Sequence, residues 1–334
     1  MNKKINSANG ILQLTASTYQ PHSIHTNQRD WAETNCYVDV WIELLHSLGY
    51  QPIAAMPFTL GIDFEGDQWT FFKFQLSDLY ELYNIEVQEL AIWKPLLEHI
   101  EQQISLSRPV LVELDSMFLP DTVGTAYQLA HVKTTVAINS IDIKAKKMGY
   151  FHAQSYYELE GDDFDHLFRL KDEYNKSHLE PYVEIVKQRT NRCTKKTKEH
   201  TVKKSINLLK QQLTKMPETN PFILFKQQLV EDLNWLKGKD LDLFHQYSFA
   251  TLRQFGACFE LASVYLTWLI KHGEDDLNLA AENYKKISEM AKIYQFQLAR
   301  SVARGKTIET TVIDEMASLW EKTKKTLLDK YINK

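Results

Sequence analysis

The stretch ETNCYVDVWIELLHSLG, Glu33–Gly49, decides how the first half of the chain folds. Thr34 and Asn35 are good helix N-caps, and apolar residues then recur at three- and four-residue steps as far as Gly49. These residues are Val38, Trp41, Ile42, Leu45 and Leu48. The pattern predicts an amphipathic α-helix that begins at or beside Cys36.

The position of Cys36 has two interpretations. A thiol at a helix N-terminus meets unsatisfied backbone N–H groups and the positive end of the helix dipole, which stabilise a thiolate and can bind an oxyanion. Most free cysteines, however, only pack as small apolar residues. Reactivity would also require a base within reach of the thiol.

His131 is the best candidate for that base, because it stands at the start of the strand-like segment HVKTTVAIN, 131–139. His46 lies on the same predicted helix as Cys36 and points away from its first turn, and His99 lies on a polar helical face. His152, in GYFHAQS, is expected on the returning strand, where it would hydrogen-bond near His131.

The composition indicates a two-domain protein of a reducing compartment. Its 334 residues are 44% hydrophobic, enough for two cores, and the net charge of −4 gives no general attraction to nucleic acid or anionic membranes. The three cysteines are far apart, which does not suggest a disulfide framework. Without a signal peptide or a long apolar run, the sequence predicts a cytoplasmic protein with no membrane span.

The pattern along the chain changes near residue 170. Before it, PVLVELD (109–115) and HVKTTVAIN read as strands, and MGYFHAQSYYEL (148–159) returns beside them. After it, amphipathic helices follow one another, including a long buried one in FHQYSFATLRQFGACFELASVYLTWLIKHG (244–273). The prediction is an α+β domain, 1–170, followed by an all-α helical bundle domain, 171–334.

A cysteine that opens a helix, followed by a histidine that opens a strand of a hairpin, resembles the papain-like cysteine enzymes. The likeness is closer to compact bacterial versions, such as the double-glycine leader peptidases and the N-terminal domain of the butirosin biosynthesis acyltransferase. The resemblance covers residues 20–170 and implies a papain-like fold, with Cys36 as nucleophile and His131 as base. Asn139, Asp142 and His152 are alternatives for the third catalytic residue, and Gln28 is the candidate for the oxyanion hole.

A second resemblance spans nearly the whole chain. The strings ETNCYVDVWIELLHSLG, DFEGDQWTFFKF, FLPDTVGTAYQLAHVKTT, GYFHAQSYYELEGDDF and FATLRQFGACFELA are similar to an uncharacterised bacterial family. Members of that family accompany amino acid:carrier-protein ligases, so the resemblance implies an acyl carrier protein and such a ligase as partners. Phosphopantetheine would arrive only on the carrier, and no other cofactor or metal is expected.

Three further features bear on substrate and partner binding. Asp67, Gln68 and Trp69 would line the cleft, unless they form a packed aromatic loop. Asp115 would bind the ammonium of an aminoacyl group or make an Asx-turn with its own backbone. The basic run 185–204 is a mobile linker or a docking strip for an acidic carrier protein.

These observations favour a cysteine-dependent acyltransferase that moves an aminoacyl or related acyl group from a carrier-protein thioester to an acceptor. A cysteine peptidase or amidase would use the same dyad with water as acceptor. A non-catalytic carrier-binding protein, in which Cys36 only packs, is the alternative outside the enzyme class. The sequence leaves the acyl group, the acceptor and the oligomeric state open.

Overall fold

A computed structural model of the chain describes residues 6, 10–25, 29–31, 35–171, 179–189, 197–304 and 309–333. The chain forms two compact units. Unit 1 contains Met1–Thr26, Asn35–Pro52 and Leu76–Thr194, and unit 2 contains Asn27–Thr34, Ile53–Gln75 and Lys195–Lys334.

Unit 1 is built on a six-stranded sheet in the order β1-β6-β2-β3-β4-β5, in which every neighbouring pair is antiparallel. The strands are β1 (Ile85–Glu89), β2 (Val110–Asp115), β3 (Lys133–Asp142), β4 (Lys147–His152), β5 (Ser155–Glu160) and β6 (Val183–Gln188). The strands predicted over 109–115 and 131–139 are confirmed. Unit 1 continues past residue 170, because β6 pairs with both β1 and β2.

The described part of unit 1 contains the α-helices α1 (Cys36–Ser47), α2 (Leu76–Tyr83), α3 (Leu96–Ser105) and α4 (Asp162–Leu167). Helix α1 begins at Cys36, as the sequence predicts. Asn35, in an extended conformation, caps it by accepting a hydrogen bond from the Val38 amide. The cap and the buried apolar stripe explain why this segment is helical.

The two faces of the sheet bury different residues, because successive side chains of a strand point to opposite sides. Val110, Val112 and Leu114 of β2 pack in one apolar cluster with Ile100 and Ile104 of α3. The alternate residues of the strands therefore face the other side. On that side α1 packs against β3, β4 and β5.

Unit 2 is mainly helical. Its α-helices are α5 (Lys198–Leu213), α6 (Pro221–Leu236), α7 (Leu241–Ser248), α8 (Gln254–Lys271), α9 (Asn278–Arg304) and α10 (Thr311–Tyr331). A π-helical segment, Phe249–Arg253, separates α7 from α8 where the sequence predicts one long helix. The protein is thus a mixed α and β structure whose C-terminal part is mostly helical, in agreement with the coarse prediction. Within the described ranges, no helix combines the length and apolar character that crossing a bilayer requires.

Candidate active site

Cys36 occupies the first position of α1 and is partly exposed. Asn35 takes up two amides of the first turn, since its side-chain oxygen accepts from Val38 at 2.9 Å and its carbonyl accepts from Asp39 at 3.1 Å. The sulfur therefore stands where the helix dipole is positive and where N–H groups converge. Among the described residues, no hydrogen bond joins Cys36 to a histidine.

His131 is paired with a carboxylate at the end of β2. Its Nδ1 lies 2.6 Å from Oδ2 of Asp115, and the imidazole is 68% exposed. A carboxylate at Nδ1 favours the tautomer in which Nδ1 carries the proton, so that Nε2 is the basic nitrogen. A histidine and a carboxylate are paired in the same way in catalytic triads, where the carboxylate orients the base.

Asp115 is held by its own turn. Its other oxygen, Oδ1, accepts from the Met117 amide at 3.1 Å, which is the Asx-turn given above as one of two alternatives for Asp115. Ser116 then donates both its amide and its hydroxyl to the carbonyl of Val132, at 2.9 and 2.8 Å. These two hydrogen bonds close the loop between β2 and β3 and fix the backbone beside His131. Asp115 alternates with Leu114, so it faces the side of the sheet that α1 covers.

Sequence reasoning missed Glu184, a buried carboxylate on β6. It accepts from the Tyr37 hydroxyl at 2.9 Å and from the Tyr182 hydroxyl at 3.0 Å. Burial and the Glu184 charge raise the pKa of Tyr182 to about 12. The contact fastens the residue that follows Cys36 to the sheet. No local sequence pattern predicts the contact between Tyr37 and Glu184, since the two residues are far apart in the chain.

His152 belongs to a different network. Its Nδ1 lies 2.5 Å from Oδ2 of Asp121, its Nε2 lies 2.8 Å from the Thr134 hydroxyl, and Asp121 also accepts from Tyr150 at 2.5 Å. Tyr150 packs in the α3 cluster, and His152, two residues on, shares its side of the sheet. The sheet therefore separates His152 from α1, and both ring nitrogens are occupied.

Asn139 anchors the N-terminal segment. Its Oδ1 accepts from the Leu12 amide at 2.8 Å, and its Nδ2 donates to the Leu12 carbonyl at 2.9 Å and to the Tyr156 hydroxyl at 3.2 Å. Asp142 accepts from the Ala145 amide in a turn. These contacts give both residues a structural role. Within the described ranges, neither forms a hydrogen bond with a histidine.

A second buried cluster lies on α1 beyond Cys36. His25 is held between Asp39, with Nε2 to Oδ1 at 3.2 Å, and Glu43, which also accepts from the Tyr19 hydroxyl at 2.5 Å. Burial lowers the pKa of His25, but hydrogen bonds and charges from the two carboxylates outweigh it, so the net pKa is raised. The cluster ties the segment before Cys36 to the helix.

The predicted cleft residues Asp67, Gln68 and Trp69 lie in unit 2. Trp69 is fully buried, and its ring packs against Phe222, Phe225 and Phe255, as expected for a packed aromatic loop. Asp67 and Gln68 are exposed. Their role in substrate binding stays a prediction.

Cys258 offers no competing thiol. Cys258 is buried in α8, and burial raises the pKa of its thiol well above the ordinary value. Gln28 and Cys193 lie outside the described residues. Within the described part of the chain, no group of three or more His, Cys, Asp or Glu side chains is arranged to hold a metal ion.

A groove of about 480 Å³ runs along α5 in unit 2. Its lining combines the apolar side chains Val202 and Ile206 with Lys198, Lys203 and Lys210. Glu199, Asn207 and His272 complete it. The groove includes the end of the basic run, whose residues 190–196 lie outside the described ranges.

Family models match both parts of the chain. The DUF1839 N-terminal domain matches residues 20–188, which contain Cys36, Asp115 and His131. The DUF1839 C-terminal domain matches residues 198–329. No curated protein matches the sequence. Because the two models together span most of the chain, this protein belongs to the DUF1839 family.

Proposed function

We propose that this protein catalyses acyl transfer through a Cys36 thioester. The observation that carries the proposal is the placement of Cys36: it is partly exposed at the capped N-terminus of α1, while Cys258 is fully buried. The His131–Asp115 pair supplies a base and its orienting group in the same unit. In this proposal Asp115 orients His131 instead of binding an ammonium group.

The first step is acylation. His131 Nε2 takes the thiol proton, and the Cys36 sulfur attacks the carbonyl carbon of a donor thioester. The oxyanion of the tetrahedral intermediate accepts hydrogen bonds from N–H groups at the start of α1. The carbon–sulfur bond to the donor then breaks, and the donor thiolate takes the proton from His131. One thioester replaces another, so the step is close to isoenergetic.

The second step transfers the acyl group. An acceptor amine or hydroxyl attacks the Cys36 thioester while His131 removes its proton. The Cys36 sulfur leaves as a thiolate and recovers that proton from His131. Asp115 keeps the imidazole in one tautomer and stabilises its positive charge in both steps.

We further propose that unit 1 is a papain-like domain. What supports this is a helix that opens with cysteine, packed on one face of an antiparallel sheet, and a histidine just before a strand of that sheet. The departure from the papain-like pattern is the orienting carboxylate, which precedes the histidine in the chain.

We propose a carrier protein as the source of the donor thioester, loaded by an amino acid:carrier-protein ligase, with phosphopantetheine attached to the carrier. Carrier proteins are generally acidic, and the lysines of the α5 groove would attract an acidic helix, while Val202 and Ile206 offer it apolar contact. Charge reversal of Lys203 and Lys210 should slow transfer from the carrier and leave a small thioester unaffected. Lys325→Glu, at an exposed lysine of α10, is the matched control.

The direct test uses an aminoacyl thioester of N-acetylcysteamine as donor. Intact mass spectrometry should detect one acyl adduct on the wild type and on Cys193→Ala, and none on Cys36→Ala. An adduct that persists in Cys36→Ala would overturn the assignment of the nucleophile. With excess amine, an acceptor-dependent conjugate supports transfer. Hydrolysis that no amine alters would instead indicate a cysteine amidase, and a Cys36 that never acylates would indicate a binding protein.

A further inference from the structure

Arg29 in unit 2 carries hydrogen-bond donors that no group in the described part of the chain satisfies. Its side chain is only 7% exposed, and its Nε donates to Oε2 of Glu260 at 3.0 Å. Both terminal nitrogens, Nη1 and Nη2, are buried and have no hydrogen-bond partner among the residues that the structure describes. A guanidinium has five N–H groups, so four donors point into the interior without an acceptor.

Glu260 accepts from only one of the five guanidinium donors. Its Oε1 accepts from the Asp30 amide at 2.8 Å, and its Oε2 accepts from the Trp31 amide at 3.3 Å in addition to Arg29. The carboxylate thus holds the backbone of 29–31 on α8 and contacts the guanidinium through one nitrogen only. Arginine pairs with oxyanions best through two parallel N–H groups, and the two terminal nitrogens remain available for such a pair.

The surroundings of Arg29 are rigid. Trp31 donates from Nε1 to the Ser288 hydroxyl at 2.9 Å and is almost fully buried. Its ring lies so close to Gly256 that a Cβ there would come within 2.3 Å of it. Trp31 therefore packs against both α8 and α9, and this fixes the position of the nearby Arg29.

A second cationic side chain lies close to Trp31. Lys292 of α9 lies over the Trp31 ring, with Nζ 4.4 Å from the centroid. Burial and then Arg253 lower the pKa of Lys292, against the opposite effect of Asp30 and Glu260. Lys292 therefore adds a cationic side chain over the ring that adjoins Arg29 and within electrostatic range of Asp30 and Glu260.

From the buried guanidinium, of which Glu260 satisfies one donor only, we infer that Arg29, with Lys292 over the adjoining Trp31 ring, binds an oxyanion group of a small ligand, either a carboxylate or a phosphate. The site involves none of the groups proposed for acyl transfer, so it stands or fails independently of that function.

The test measures the thermal unfolding midpoint of the full chain against added potassium phosphate and, separately, potassium acetate. Potassium chloride keeps the ionic strength constant. A ligand that binds only the native state raises the midpoint saturably. We expect such a rise with at least one anion, and the more effective anion identifies the ligand class.

Variants locate the effect. Arg29→Gln and Arg29→Lys should abolish the rise, because neither can form the two-pronged contact. Arg300→Gln, at an exposed arginine of the same helix as Lys292, should retain it. If the Arg29 variants do not fold, Lys292→Gln decides the question through a rise at least several-fold smaller than in the wild type. The inference is overturned if neither anion shifts the wild type saturably, or if the shift survives in Arg29→Gln or in Lys292→Gln.

Discussion

The Nδ1 atom of His131 lies 2.6 Å from Oδ2 of Asp115, although sixteen positions separate the two residues in the chain. The antiparallel pairing of β2 with β3 brings them together, because Asp115 ends one strand and faces Lys133 at the start of the other. The loop between them is closed by Ser116 and Val132. This pair is the best-defined element of the proposed catalytic apparatus.

Asp115→Asn should slow acylation of Cys36 while the protein stays folded. Asparagine can still accept from Met117, but it no longer holds His131 in the required tautomer or stabilises its charge. We expect the single-turnover rate with a small thioester to fall by roughly 10²- to 10⁴-fold. Asp142→Asn, which alters a comparable turn, is the control. Equal rates in the two variants would remove Asp115 from the mechanism.

Asn35→Ala should weaken both α1 and the reactivity of its thiol. Loss of an N-cap costs about 1 kcal/mol of unfolding free energy, and it disturbs the first turn that surrounds Cys36. We expect slower alkylation of Cys36 by iodoacetamide, measured by peptide mapping, with Cys258 unmodified in the native protein. Asp240→Ala removes a similar cap from α7 and should not change the alkylation rate. A Cys36 rate that Asn35→Ala leaves unaltered would mean that the cap does not tune this thiol.

His25→Gln should destabilise the protein in a pH-dependent way. The folded pKa of His25 is raised above its ordinary value of 6.5, so its contribution is complete below that pH and is lost as the pH rises through the folded pKa. Because the variant leaves two buried carboxylates without their cation, we expect a loss of about 3 kcal/mol at the acidic end.

Urea unfolding across the pH range gives the measurement for His25. The difference between wild type and His25→Gln should narrow as the pH increases. His200→Gln, at an exposed histidine of α5, should show neither the loss nor the trend. A difference that is constant with pH would contradict a raised pKa of His25 in the folded state.

His152→Ala should lower the stability of the protein and leave the reactivity of the Cys36 thiol unchanged. The substitution leaves the buried Asp121 carboxylate without its histidine partner and removes the hydrogen-bond partner of Thr134. This should lower the free energy of unfolding by about 3 kcal/mol. The alkylation rate of native Cys36 should be unchanged, since the sheet lies between His152 and α1. Thr125→Val, in the loop that carries Asp121, is a mild control. A large drop in Cys36 reactivity at full folding would restore His152 as a catalytic candidate.

Gly256→Ala should disrupt the packing of Trp31. A methyl group at this position would meet the indole ring at 2.3 Å, and overpacking of this kind costs about 1–3 kcal/mol. In a Trp31→Ala background the same substitution should cost much less, because the ring is gone. Urea unfolding of the four proteins gives the coupling energy, and additive losses would contradict the proposed contact.

Local chemistry in the sequence predicts much of this structure. The cap at Asn35, the apolar steps that follow it and the β-rich run before Asp115 specify α1 and β2 without reference to distant residues. The helical period after residue 197 specifies a mostly helical second unit in the same way. These features depend on neighbours within one or two turns, and a sequence displays such neighbours directly.

Tertiary structure alone decided which polar side chains meet. Strand pairing joined Asp115 to His131, and strand alternation placed His152 on the side of the sheet away from α1. The amphipathic pattern marks Cys36 as the start of a helix, but it does not reveal that Glu184 holds the next residue. Such contacts link positions far apart in the chain, so their geometry arises only when the sheet and helices pack.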